Sequence, residues 1–249
     1  MAKFTGYIGR AWSLYWANFL QIFLAMLLIL AVSIISILIM GFVMELDPII
    51  GVLLSVALLL VLMPFTASFY GMAAEAVKTG KTSLGTLFST FKKKAVTLLG
   101  IQIASVIIAM LPLLVAIVII LGFSAVSSSL DPLSLSIAIV AALAAVALSI
   151  LLLLAVPSAV CDNTGVIRSL KNSFAIVKAS PGSLFAIWLI YTVLGAILSL
   201  IPLLGSVLTL IIIGPMMDIA ITDFYMKNKV QKTKTTAKKP AKAAAKTKA

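Results

Sequence analysis

Charged positions cut the chain into long uncharged stretches, which run 11–44, 48–74, 95–130, 132–161 and 179–217 and are 34, 27, 36, 30 and 39 residues long. An ionised side chain at a bilayer centre is costly, and roughly 20 apolar residues suffice to cross the hydrocarbon layer. Four of the stretches therefore hold one span each. The fifth is interrupted by Ile201-Pro202-Leu203-Leu204-Gly205, a Pro/Gly turn signal that makes it a tight hairpin of two spans. The pattern predicts an all-α polytopic membrane bundle with helices near 17–43, 49–74, 95–121, 134–160, 182–201 and 204–226, arranged as three hairpins with amphipathic interfacial helices.

The basic residues all fall on one side of these spans. Lys3 and Arg10 precede the first; Lys78, Lys81 and Lys92 to Lys94 lie between the second and third; Arg168, Lys171 and Lys178 lie between the fourth and fifth; the rest follow Met226. The opposite turns carry only Glu45, Asp47 and Asp131. Loops rich in Lys and Arg stay cytoplasmic, so both termini are expected on that side of the cytoplasmic membrane. The 34-residue apolar run after Arg10 exceeds the roughly 7–15 residues of a signal peptide's core and ends in no A-x-A-like site, which makes it the first span.

The two large basic connections share a pattern. With an offset of 86, residues 83–101 lie on 169–187 without gaps, and Ser83/Ser169, Leu84/Leu170, Phe88/Phe174, Lys92/Lys178, Leu98/Leu184 and Ile101/Ile187 are identical. Residues Tyr7 to Trp16 offer a third amphipathic turn before a span, and Pro64, Pro157 and Pro215 each precede an exit containing Glu75, Asp162, or Asp218 and Asp223. Threefold duplication of a hairpin or chance recurrence of membrane prolines both account for this. In 165–178, Ile167, Leu170, Phe174 and Val177 recur at helical spacing with Arg168, Lys171 and Lys178 on another face, the mark of a helix lying in the interface. The sister segment has the stripe Leu84, Leu87, Phe88 and Phe91, capped by Thr82 or Ser83 and followed by Lys92, Lys93 and Lys94. These six cations are candidate contacts for anionic lipid headgroups or a cytoplasmic protein; simple anchoring of the next span is the alternative.

Composition narrows the chemistry. Hydrophobic residues make up 63% and charged residues 10%, against roughly 45–50% and about 25% in soluble domains, which excludes a water-soluble fold. With no histidine and one cysteine, Cys161, there is no serine–histidine triad, histidine-zinc site or intrachain disulfide, and no P-loop or G-x-S-x-G string occurs. Cys161 reads as an inert or palmitoylatable thiol. No catalytic, cofactor or metal site is expected. Intramembrane carboxylates are the remaining candidates: Asp218, about a turn inside the boundary of the last span, and Asp223 after it. They point to proton or cation coupling, or else Asp218 snorkels or pairs with Arg168, Lys171 or Lys178.

Trp12, Tyr15, Trp16, Tyr70 and Tyr225 fall at helix ends as an aromatic belt would, Trp188 and Tyr191 lie deeper as core, and Ala138, Ala142, Ala145 and Ser149 form a small-residue face for close packing. The formal charge is +12 overall, but nine lysines follow Met226. Residues 1–228 thus form the membrane domain, and 229–249 a lysine-rich tail expected to be disordered. Its partner by proximity is anionic lipid, with nucleic acid as runner-up and plain solvation as a third reading.

The string VPSAVCDNTGVIRSLKNSFAIVKASPGSLFAIWLI, taken with GKTSLGTLFSTFKKKAVTLLGI, resembles the membrane domain found beside some glycerophosphoryl diester phosphodiesterases and its stand-alone archaeal and bacterial relatives of unknown function, over roughly residues 5–228. That resemblance implies an anchor or substrate-presenting platform and supplies no catalytic residue, since the hydrolase domain has no counterpart in this sequence. The leading expectation is a non-enzymatic membrane scaffold or partner subunit. A small transporter or lipid-handling protein is the alternative.

Overall fold

The structure, a computed structural model, describes residues 4–124, 132–202 and 204–229. Lys3, Asp131, Leu203 and the tail from Val230 on lie outside the described residues. Within them the chain is an all-α bundle: α1 (Thr5–Ala17), α2 (Phe19–Leu46), α3 (Pro48–Ala67), α4 (Phe69–Thr79), α5 (Leu84–Ser124), α6 (Pro132–Leu152), α7 (Ala155–Asp162), α8 (Val166–Ala179), α9 (Pro181–Ser199) and α10 (Leu204–Lys229). Six helical segments, with α3–α4 and α6–α7 each counted as one, are long and apolar enough to cross a membrane. They match the six expected spans in order.

Local chemistry sets the hairpin turns. Between α2 and α3 the Asp47 carboxylate accepts from the backbone N–H groups of Ile49 and Ile50 at 2.8 and 3.1 Å, and Pro48 follows at the first helical position, where its missing N–H costs nothing. The α9–α10 turn needs glycine at 205, because a Cβ there would sit 1.7 Å from the Leu198 carbonyl oxygen.

Two of the expected elements differ. The stripe at 84–91 is not a separate interfacial helix; it is the first part of α5, one helix of 41 residues. Where the sister segment has Ser180-Pro181-Gly182 and breaks between α8 and α9, this one has Lys94-Ala95-Val96. Proline drives its preceding residue out of helical backbone, and Ser180 is accordingly at φ −148°; alanine imposes no such stop. In α8 the buried residues are Ser169, Ser173, Ile176 and Val177, and Ile167 is 69% exposed. The expected apolar stripe is thus rolled outward by the two serines, whose hydroxyls have partners inside.

The second helix of each hairpin is broken near its proline. Proline removes one N–H and crowds the carbonyl four residues back. The breaks fall at Ser68, after Pro64, and at Leu153-Leu154, before Pro157; α10 widens into a π turn at Thr209–Ile213 just before Pro215. A short amphipathic segment, a span and a broken span therefore follow one another in this order along the chain, the segment being continuous with the span in α5. The repeat-matched residues Leu98, Leu184, Ile101 and Ile187 are all fully buried.

The buried core gathers toward the basic end. It is built by Tyr7, Ala11 and Tyr15 of α1, Ile22 to Ile29, Phe69 to Val77, Leu184 to Tyr191, and Met216 to Tyr225. The other halves of the spans are open: Ile35, Leu38, Leu53, Val118, Leu135 and Leu143 are each more than half exposed. Apolar side chains in that position meet lipid tails, which solvate them as well as another helix does. The expected small-residue face of Ala138, Ala142, Ala145 and Ser149 is not the packed one: Ala142 and Ser149 are exposed, and the buried alanine of α6 is Ala141.

Candidate functional site

Three acids at the basic end are held by partners within the bundle. Asp223, 1% exposed, takes Arg10 at 2.8 Å on one carboxylate oxygen and Lys227 at 2.7 Å on the other; Arg10 also donates to the Val77 carbonyl at 2.9 Å, and Lys227 lies over the Tyr7 ring. Asp162 accepts from the Tyr225 hydroxyl at 2.6 Å and pairs with Lys229. Glu75 accepts from Thr82 Oγ1 at 3.0 Å, the Ser83 N–H at 3.3 Å and Thr86 Oγ1 at 2.5 Å, so the cap on α5 is a carboxylate from the preceding helix. Asp223 is thus a structural ion pair, not a bare intramembrane carboxylate.

The helix breaks are patched by side chains from the short helices. Pro215 frees the Ile211 carbonyl, and the Tyr15 hydroxyl donates to it at 3.1 Å; burial pushes the Tyr15 hydroxyl above its ordinary pKa, which keeps the proton in place. Ser173 of α8 spans the α6–α7 break, accepting from the Leu154 N–H at 3.1 Å and donating to the Leu151 carbonyl at 2.6 Å. A buried backbone group left without a partner is costly, so these two contacts bind α1 and α8 to the spans. Tyr15, Tyr70 and Tyr225 therefore leave the aromatic belt: Tyr15 and Tyr225 are fully buried, while Trp12 and Trp16 stay about half exposed.

The six candidate headgroup contacts divide. Lys92, Lys93, Arg168, Lys171 and Lys178 are exposed, and among the described residues none of them forms an ion pair. Lys94 is turned inward: its ammonium donates to the carbonyls of Ala159 at 2.5 Å and Val160 at 3.1 Å. There it closes the C-terminal end of α7, where carbonyls lack helical donors and a cation opposes the helix dipole.

Asp218 is placed differently from either expectation of a cation partner. Among the described residues it makes no ion pair with Arg168, Lys171 or Lys178; the side chain it interacts with is Tyr70 of α4. Tyr70 in turn lines a groove of about 450 Å³ between the second, third and fourth spans. Its wall also includes Thr66, Gln102, Ser105, Ser149 and the buried Leu152. Gln102 Oε1 is buried without a hydrogen-bond partner among the described residues. Sequence reasoning passed over Gln102, although it is the one amide side chain in the uncharged stretch 95–130; that isolation was the available signal. Tyr191 and Thr209 likewise carry buried hydroxyls with no partner among the described residues.

Six apolar spans, a core confined to the basic end and a polar groove opening between spans define a multi-pass helical membrane protein. The chain belongs to the family described as Domain of unknown function (DUF7847), which it matches over residues 12–240. No curated protein and no solved structure matches it.

Proposed function

We propose that this is a non-enzymatic integral protein of the cytoplasmic membrane, a scaffold or partner subunit with both termini cytoplasmic, whose basic face engages anionic lipid or a protein partner. The carrying observation is the charge balance of that face. Asp223 and Asp162 are held in internal ion pairs and Glu75 in hydrogen bonds, which leaves Lys92, Lys93, Arg168, Lys171 and Lys178 exposed and uncompensated. Each such cation beside an anionic leaflet contributes about 1 kcal/mol of attraction. The resemblance to a phosphodiesterase-associated membrane domain agrees with an anchoring role.

The test is copurification in mild detergent of the wild type and of a variant with those five cations changed to Gln. A protein partner or an anionic lipid enriched with the wild type and lost with the variant supports the reading; identical copurifying material from both refutes it. A second reading, a transporter or lipid-handling protein, is favoured by the broken spans and the π turn, since interrupted helices build sites at membrane depth. It requires that Asp218→Asn abolish a flux in reconstituted vesicles.

A further inference from the structure

The groove beside Tyr70 has polar groups at both depths along the spans. Toward the basic end Tyr70 and Gln102 face Leu153 and Val156; farther in, Met63, Val106 and Ala109 lie with Ser105 and Ser149. Gln102 lies 19 positions before Leu121, and Ser149 lies 17 after Pro132. At about 1.5 Å per residue these are roughly 25–29 Å from the far ends of their candidate spans, Leu84–Leu121 and Pro132–Asp162. A hydrocarbon layer is about 30 Å thick, so the Gln102 end of the groove falls at the boundary between acyl chains and headgroups of the leaflet on the basic side. Thr66, Val106 and Ser149 on its lips are exposed, which opens it sideways to that leaflet.

Two cations stand above it. Lys78 on α4 and Lys94 on α5 each lie eight residues toward the basic end from Tyr70 and Gln102, about 12 Å along their helices. Their charges act on each other and on Cys161 of α7, so they share one corner where α4, α5 and α7 meet. Lys78 is exposed, and among the described residues it makes no ion pair. Toward the basic end, therefore, the Gln102 amide is followed by the exposed Lys78 ammonium and by Lys94, which is held on the α7 carbonyls.

We propose that this groove seats one membrane lipid with an anionic phosphate headgroup: its chains lie against Met63, Val106 and Ala109, a polar group at the glycerol level hydrogen-bonds the Gln102 amide, and its phosphate faces Lys78, with the charge of Lys94 behind it on the α7 carbonyls. This rests on the reading that the basic face meets anionic lipid, and it assigns a discrete site in place of a diffuse collar. Gln102 Oε1 is buried, so the amide N–H groups are what the side chain offers the groove, and they serve an ester, ether or phosphate oxygen.

The experiment is native mass spectrometry of the full chain in detergent with equimolar phosphatidylglycerol and phosphatidylcholine added. The wild type is expected to retain one phosphatidylglycerol per chain with at least tenfold preference. Gln102→Leu and the groove-filling Ser105→Phe should each lower occupancy at least tenfold at an unchanged unfolding midpoint, and Lys78→Gln should erase the headgroup preference while a lipid remains bound. Where one groove variant fails to fold, the other decides. Equal retention of both lipids by the wild type, no one-to-one adduct, or wild-type binding by both groove variants overturns the proposal. The five-cation variant separates the two readings: it keeps the groove lipid if the groove is the site, even when its copurifying partner is lost.

Discussion

Removing both cations that hold Asp223 should cost far more than removing either. The carboxylate is 1% exposed, whereas the side chains of Arg10 and Lys227 are 42% and 41% exposed. Arg10→Met or Lys227→Met alone leaves one ammonium or guanidinium on the acid, and the lost pair is half-solvated, so each single change is expected to cost about 1 kcal/mol. Arg10→Met should be the larger of the two, because it also strips a donor from the Val77 carbonyl. The double variant leaves a buried carboxylate with no cation, a situation that costs about 3–5 kcal/mol. The coupling between the sites is then roughly 1–3 kcal/mol beyond additivity. Asp223→Asn in the double background should recover at least half of the loss, since it removes the buried charge. The assay is unfolding in mixed micelles against increasing dodecyl sulfate, followed by helical circular dichroism and by fluorescence of Trp12, Trp16 and Trp188. Additive single changes, or no recovery with Asp223→Asn, would refute the assignment of Asp223 as the anchor of α1 against α10.

The same assay checks three further changes. Ser173→Ala removes both bonds across the α6–α7 break and should lower stability by about 1–3 kcal/mol, whereas Ala175→Ser, on the same helix but outside this contact, should be near neutral. Gly205→Ala forces a Cβ to within 1.7 Å of the Leu198 carbonyl oxygen and should prevent accumulation of folded protein, while Gly182→Ala, with open space around it, should not; equal yields would count against the tight turn. Lys94→Met leaves the Ala159 and Val160 carbonyls without their donor and should cost about 1 kcal/mol, with the fluorescence of Trp12 and Trp16 unmoved because the effect is confined to α5 and α7.

Much of the architecture was legible because membranes tolerate so few arrangements. A bilayer forces its spans to be long, helical and uncharged, so the intervals between charged residues already marked six spans, and Pro202 with Gly205 marked the one hairpin hidden inside a single stretch. The repeat at offset 86 also carried real information: two of its four apolar pairs, Leu98/Leu184 and Ile101/Ile187, are fully buried core positions, while Phe88 of a third pair is half exposed. The site was less legible. Tyr70, read as an anchor, instead lines the groove beside Asp218, and Lys94 is indistinguishable in sequence from the exposed Lys92 and Lys93 beside it.

The sequence by itself determined the membrane class, the number and order of the spans, the basic side, and the positions where proline would break a helix. These follow from properties of single residues or short windows: charge, hydropathy and a missing N–H. Only the tertiary structure decided which partners meet. Ser173 reaches Leu151 and Leu154 across about twenty residues, Tyr15 reaches Ile211 from the far end of the chain, and Asp223 holds Arg10. Partner choice of this kind depends on how helices rotate and pack against one another, and in the apolar surroundings of a membrane hydropathy does not specify that rotation. The few polar groups do, because each buried hydroxyl, carbonyl or carboxylate must find its complement before the bundle can close.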